Sequence, residues 1–121
     1  MTIVVWAGVV VLGGAGAVLR FLVDRAVASR VARPFPFGTL TVNLTGAVLL
    51  GLLSGLTLSH QMALLAGTAF VGSYTTFSTW MLETQRLAEE RQVWPAAANI
   101  VVSVVLGVAA AMAGQWIAVQ L

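Results

Sequence analysis

The chain alternates long apolar stretches with two short charged segments, at 20–33 and 83–91. A membrane-spanning helix needs about 20 mainly apolar residues, so the charge-free stretch 34–82 is long enough for two of them. A polar run at 58–61 is suited to a turn between those two spans. The stretch at each end of the chain supplies one more. The pattern therefore predicts four transmembrane helices in a single transmembrane domain over 1–121, at about 3–23, 37–58, 62–82 and 95–119.

Composition defines the class of protein that this pattern describes. Of the 121 residues, 60% are hydrophobic and 8% are charged, and the mean hydropathy is +0.98. Soluble domains carry about 25% charged residues, and disordered chains are poor in hydrophobic ones, so both classes are excluded. We expect an all-α integral membrane protein that passes several times through the cell (inner or plasma) membrane.

Few residue types that support catalysis are present. The chain has no cysteine and one histidine, His60, which excludes disulfides, thiol nucleophiles and zinc clusters. Without a nucleophile–base pair, an enzyme is not expected. No Asp or Glu lies at the centre of a predicted helix, whereas proton-coupled transporters need a titratable group there. The net charge of +2, without any lysine, also gives no footprint for nucleic acid.

The charged residues also predict an orientation in the membrane. All six basic residues are arginines, and they fall in the two segments that follow the first and third predicted helices. In a four-helix layout those two segments lie on the same side. Cytoplasmic loops carry an excess of Arg and Lys, so both charged loops are predicted inside and both termini outside.

Polar residues within the first two helices are candidates for function or for packing. Arg20 lies near the end of the first helix, where it could be an anchor at the interface or a fixed cation at the mouth of an anion pathway. Thr39, Asn43 and Gly46 share one face of the second helix. The Asn43 amide could hold helices together or donate a hydrogen bond to an anion.

The third helix contains the most unusual segment, 72–80, in which six of nine residues carry hydroxyls. Gly72 permits a break there, and Ser and Thr bend helices by bonding to backbone carbonyls. Carbonyls freed at a break within the membrane can bind cations. The alternative is a kinked packing helix with Phe77 and Trp80 as lipid anchors. On the fourth helix, Asn99 and Ser103 begin a stripe of polar and small residues that could serve packing or line a pore.

Three motifs resemble those of the Fluc/CrcB family of fluoride channels. They are GGAGA-x-x-RF at 13–21, FP-x-GTL-x-VNL-x-G at 35–46 and G-x-x-TTFST at 72–79. The motifs occur in the family's order, and length and helix number also match. The resemblance implies a passive, fluoride-specific channel that exports fluoride from the cytoplasm and protects against its toxicity.

The resemblance also implies an assembly and a set of site residues. The assembly is a dual-topology dimer of antiparallel subunits, with a structural Na⁺ at its centre held by backbone carbonyls of Gly72 and Thr75. Arg20 would be the vestibule cation. The residues implied for the fluoride pathway are Asn43, Phe77, Ser78, Thr79, Trp80 and Ser103. Such donors suit fluoride, since burying a bare anion without them costs tens of kcal/mol.

Two features depart from the family pattern. Trp80 stands where the family usually has a second Phe; its ring edge is still electropositive and its indole N–H can donate. The Arg asymmetry is unexpected for a protein that inserts in both orientations. The family includes paired chains of fixed, opposite orientation, so the partner is either a second copy or such a sister subunit.

Two other functions compete with the channel. A small multidrug-resistance antiporter has a similar length and helix count, but it needs a Glu within the first helix, and 1–19 contains none. A non-transporting assembly subunit would use the polar residues for packing alone, which leaves the hydroxyl-rich segment unexplained.

Overall fold

The computed structural model describes residues 2–121, and the regular structure in this range is entirely helical. The elements are α1 (Ile3–Arg30), α2 (Phe37–Gly55), α3 (His60–Ala63), a π-helical stretch (Leu64–Val71), α4 (Gly72–Tyr74), α5 (Ser78–Glu89) and α6 (Val93–Gln120). Within the described range, three helices, α1, α2 and α6, are long and apolar enough to cross a membrane. The chain is thus an all-helical membrane protein.

The third predicted span is divided into several pieces. From His60 to Tyr74 the helix runs through α3, the π-helical stretch and α4 without a gap, and it then stops. Residues 75–77 are not helical, and α5 begins at Ser78. In the π-helical stretch a backbone N–H bonds five residues back, as Gly72 does to the Gly67 carbonyl. The break expected in this segment is present, and the π-helical turns before it were not predicted.

Several predicted helix ends were wrong. α1 continues to Arg30 rather than ending at 23, because charged residues end the apolar span but nothing between 24 and 30 breaks a helix. α5 continues to Glu89, past 82, for the same reason. α2 ends at Gly55, before 58, since glycine is a poor helix former. Two other predictions agree within two residues: α3 begins at His60, where the Ser59 side chain caps it, against about 62, and α6 covers Val93–Gln120 against about 95–119.

Small residues set the closest helix contacts. α2 and α6 share the most extensive contact in the fold. A Cβ on Gly114 of α6 would meet the Val48 backbone carbonyl, and one on Gly51 of α2 would meet that of Ala111. Gly16 of α1 lies against the Phe70 carbonyl oxygen, 2.5 Å from where its Cβ would be. The small residues therefore pack helices backbone to backbone, as expected for small residues in membrane helices.

Candidate ion site at the interrupted helix

The break between α4 and α5 is held by one side chain of α2. The Asn43 Nδ2 donates to the Thr76 carbonyl at 2.9 Å, and the Thr76 N–H donates to Asn43 Oδ1 at 2.8 Å. The amide thus satisfies both backbone groups of a residue outside the helix, which is what irregular backbone at membrane depth requires. Gly46 makes room for this arrangement, because a Cβ there would collide with Thr75.

The same bonds leave two carbonyls of the break without a helical donor. In a regular helix the Gly72 carbonyl would accept from Thr76, but that N–H bonds to Asn43. The Thr75 carbonyl would accept from Thr79, whose N–H bonds to Thr76 Oγ1 at 3.2 Å instead. Within the described range no backbone donor replaces them. Gly72 and Thr75 both border a concavity of about 390 Å³, so this face of the break is open.

The chemistry of these carbonyls fits a hard cation. Backbone oxygens at unwound helix segments coordinate Na⁺ in membrane proteins. No cluster of His, Cys, Asp or Glu in the described part of the chain could hold a metal ion. Two carbonyls from one chain supply only part of a coordination shell.

A second cavity beside the break, a groove, is lined by most of the predicted pathway residues. Asn43, Phe77, Trp80 and Ser103 line one cavity of about 490 Å³ between α2, α5 and α6. Phe77 is 71% exposed, and its ring meets that of Trp80 edge to face at a centroid distance of 5.6 Å. Of the residues described, none that lines this groove is charged.

A second, smaller chamber contains the predicted vestibule cation. Arg20 and Thr79 line a cavity of about 230 Å³ together with Asp24 and Thr39. The buried Arg20 Nε has no hydrogen-bond partner within the described range, a state usually relieved by water or an ion. Thr76 borders both this chamber and the groove. Thr79 therefore lies apart from the groove residues, and Ser78 is exposed and lines neither cavity.

The two charged segments of the sequence meet at one end of the molecule. Asp24 and Arg33 from the first, and Glu83, Arg86 and Glu90 from the second, line a cavity of about 470 Å³. Glu83 lies just beyond the third predicted span. Burial raises the pKa of its carboxyl and the nearby Asp24 adds to this, while the Thr39 hydroxyl partly opposes it.

The Trp80 indole contacts α6 through a bond that the sequence did not reveal. Its Nε1–H donates to the Asn99 carbonyl at 3.0 Å, so it is not available to an ion in the groove. The Asn99 Nδ2 donates to the Thr84 hydroxyl at 2.8 Å. No individual role was predicted for Thr76, and Thr39 and Asn99 were predicted only as members of polar helix faces.

These features define the class of protein: a small helical membrane protein with an interrupted helix and cavities beside the interruption. A family model described as "CrcB-like protein, Camphor Resistance (CrcB)" matches residues 7–115. The chain belongs to the CrcB family.

Named relatives cover nearly the whole chain. A protein of Mycobacterium bovis named fluoride-specific ion channel FluC 2 is 70% identical over 118 residues, which are 98% of this chain and 94% of the relative. A protein of the same name from Mycolicibacterium paratuberculosis is 71% identical over 97% of this chain and 96% of its own length. Fluoride-specific ion channel FluC 1 of Streptomyces avermitilis is 43% identical, over 93% and 94% respectively.

Proposed function

We propose that the chain is a fluoride-specific ion channel of the cell membrane, through which fluoride leaves the cytoplasm passively. The observation that carries the proposal is the uncharged groove lined by Asn43, Phe77, Trp80 and Ser103, in a chain whose relatives at 70% identity are named for this activity. As a channel, the protein is a transporter rather than an enzyme.

The groove offers the interactions that a dehydrated fluoride needs. Asn43 has two amide hydrogens, of which the Thr76 carbonyl uses one, so the other remains for an anion. The Ser103 hydroxyl can donate, and the edges of the Phe77 and Trp80 rings are electropositive. Since none of these groups carries a full charge, each holds the ion weakly, as conduction through several sites requires.

In the proposal, the fluoride pathway continues beyond the groove and includes Arg20, Thr79 and Ser78. Arg20 raises the local concentration of anions in the chamber, and the Thr79 hydroxyl provides a donor beside it. Thr76, which borders both cavities, lies where the ion would pass from chamber to groove. Ser78 is exposed in the single chain, so its part in the pathway depends on how a partner covers it.

Liposomes test the channel directly. Passive fluoride efflux from vesicles that contain only the purified chain is expected, with chloride efflux from matched vesicles at background. Efflux of both ions at similar rates would contradict fluoride specificity. Efflux of neither from the single chain, followed by fluoride efflux after a sister chain is added, would show a heterodimeric channel.

The working unit in this proposal is an antiparallel dual-topology dimer of four-span subunits with a central Na⁺. The third span consists of the helix from His60 to Tyr74 and the start of α5, on either side of the break. The Gly72 and Thr75 carbonyls supply one subunit's share of the Na⁺ ligands, and a partner at the open face would complete the shell. Purification in K⁺ without Na⁺ is expected to lower fluoride efflux, and restored Na⁺ to recover it.

The partner is either a second copy or an opposite-orientation sister subunit. The charged cavity at one end of the molecule favours a fixed orientation, with that end in the cytoplasm. Reporter fusions at the C-terminus distinguish the two. Signal on one side alone supports the sister subunit, and equal signal on both sides supports the homodimer.

A further inference from the structure

Trp80 is attached to α6 at two points, and both involve Asn99. The indole Nε1 donates to the Asn99 backbone carbonyl at 3.0 Å. In the opposite direction the Asn99 Nδ2 donates to the Trp80 carbonyl at 3.4 Å and to Thr84 Oγ1 at 2.8 Å. Thr84 in turn donates to the Trp80 carbonyl at 2.8 Å, so the three residues form one closed network between α5 and α6.

Asn99 lies outside the groove that Trp80 lines. Its side chain is 1% exposed, and it does not border any of the cavities described above. Buried polar groups between membrane helices are held by hydrogen bonds, and such bonds fix helix position. Asn99 therefore acts on α5 and on Trp80, not on an ion.

Trp80 in turn positions Phe77. The Phe77 side chain is 71% exposed and is not held by the fold around it. Its edge-to-face contact with Trp80, at 5.6 Å and 81°, is its only aromatic contact within residues 2–121. Because aromatic pairs prefer this edge-to-face geometry, fixing the Trp80 ring also restrains the orientation of the Phe77 ring.

We propose that Asn99 is a positioning residue of the ion pathway, one that keeps the Trp80 indole against α6 and so keeps the groove open beside Phe77. The inference rests on the proposed channel function. The Asn99 side chain sets the register of α5 against α6, and that register brings the indole N–H to the Asn99 carbonyl. An indole released from this acceptor would carry an unpaired N–H in an apolar setting, which favours its turning toward the polar groups of the groove.

The need for Asn99 arises because residue 80 is a tryptophan. A phenylalanine at this position has no polar atom and a smaller ring, so it needs no acceptor on α6 and obstructs the groove less. Asn99 should therefore matter for flux when residue 80 is Trp and matter little when it is Phe.

Two variants test this dependence in the fluoride efflux assay. Asn99→Leu keeps the side-chain size and removes the amide; its efflux is expected to fall about threefold to tenfold, the effect of one or two lost interhelical hydrogen bonds. Trp80→Phe combined with Asn99→Leu is expected to return efflux to near that of Trp80→Phe alone. Gln85→Leu is the matched control, because it removes an amide from an exposed α5 side chain whose one hydrogen bond within residues 2–121 is to Glu89.

Two results would overturn the proposal. An equal loss from Asn99→Leu in the wild-type and Trp80→Phe backgrounds would mean that Asn99 is only a structural tie between helices. No loss in either would mean that it does not act on the pathway. If Asn99→Leu does not fold, Thr84→Val, which removes the hydroxyl at the centre of the network, is expected to show the same dependence on residue 80.

A spectroscopic measurement separates this inference from the proposed function. The other tryptophans, Trp6, Trp94 and Trp116, are exposed and can be replaced by Phe, so that emission reports Trp80 alone. Asn99→Leu is expected to lower the fluorescence anisotropy of Trp80, and unchanged anisotropy would overturn the positioning role. Should the wild-type chain pass no fluoride, the channel proposal fails while this measurement still decides whether Asn99 holds Trp80.

Discussion

The two halves of α2 are held to the rest of the molecule in different ways. Its C-terminal half packs on α6 through glycines, with backbone against backbone at Gly51 and Gly114. Its N-terminal half faces the break, where the Asn43 amide makes two hydrogen bonds to Thr76. The first contact depends on the absence of side-chain atoms and the second on the identity of a polar group. Substitutions in the C-terminal half should therefore affect stability through side-chain size, and substitutions in the N-terminal half through the loss of hydrogen-bonding groups.

The largest effect is expected from filling the glycine contact. A Val at position 114 would collide with the Val48 carbonyl and with the Leu52 nitrogen, which lies 2.8 Å from the Cβ position. Backbone atoms cannot move aside as a flexible side chain does, so Gly114→Val should lower the unfolding free energy by about 3 kcal/mol, the upper range for overpacking. Unfolding in mixed detergent micelles measures this.

Gly107 on the same helix is the matched control for Gly114. Within the described residues nothing lies within 4 Å of a Cβ there, so Gly107→Val should leave the unfolding free energy nearly unchanged. Equal losses in the two variants would show that close backbone packing is not what holds α2 to α6.

Removing the amide at the break should have the next largest effect. Asn43→Leu leaves the Thr76 N–H and carbonyl without partners, at a cost of about 2 kcal/mol in unfolding free energy. Fluoride efflux should also fall, because the variant lacks the amide donor. Ser54→Val on the same helix removes only a local bond to the Gly51 carbonyl, and it is expected to cost much less. A similar cost for both would contradict the role of Asn43 at the break.

A smaller loss is expected at the start of α5. The Thr76 hydroxyl accepts from the Thr79 N–H, the interaction of an N-terminal helix cap, which contributes about 1 kcal/mol. Thr76→Val should lower the unfolding free energy by this amount, and Thr76→Ser, which keeps the hydroxyl, should retain most of it. If the serine variant loses as much as the valine variant, the methyl group rather than the cap is responsible.

The smallest effect is expected from Trp80→Phe, which should retain fluoride efflux in liposomes. The indole N–H already bonds to Asn99, so the ring alone faces the groove, and Phe supplies a similar edge. Loss of efflux in this variant, with its fold intact by gel filtration, would show that the indole itself is required.

The sequence predicted the break and the polar face of α2 but not their pairing. The hydroxyls of 72–79 and the amide of Asn43 were each visible as unusual polar groups in apolar helices. Their contact joins residues 33 positions apart, and a single sequence carries no information on which polar faces meet. The bond between Trp80 and Asn99 was missed for the same reason.

The helix ends and the π-helical stretch could not be predicted from the sequence, for other physical reasons. Apolar length predicts where the membrane core ends, and α1 and α5 continue as helices into the charged segments. The residues from Leu64 to Val71 are apolar and ordinary in composition, so nothing local distinguishes a π-helical turn from an α-helical one. Two predicted pathway residues, Ser78 and Thr79, do not line the groove, and the spacing of polar residues along the sequence does not show which cavity each one borders.

The interruption at 75–77 also places two helix dipoles end to end inside the apolar layer. The helix that stops at Tyr74 presents partially negative carbonyls, and α5 presents partially positive N–H groups at its start. One gap of three residues therefore creates a region attractive to cations and a region attractive to anions without any ionised side chain within it. The electrostatic features at the interruption thus come from the backbone, and a substitution that made this helix continuous would remove both together.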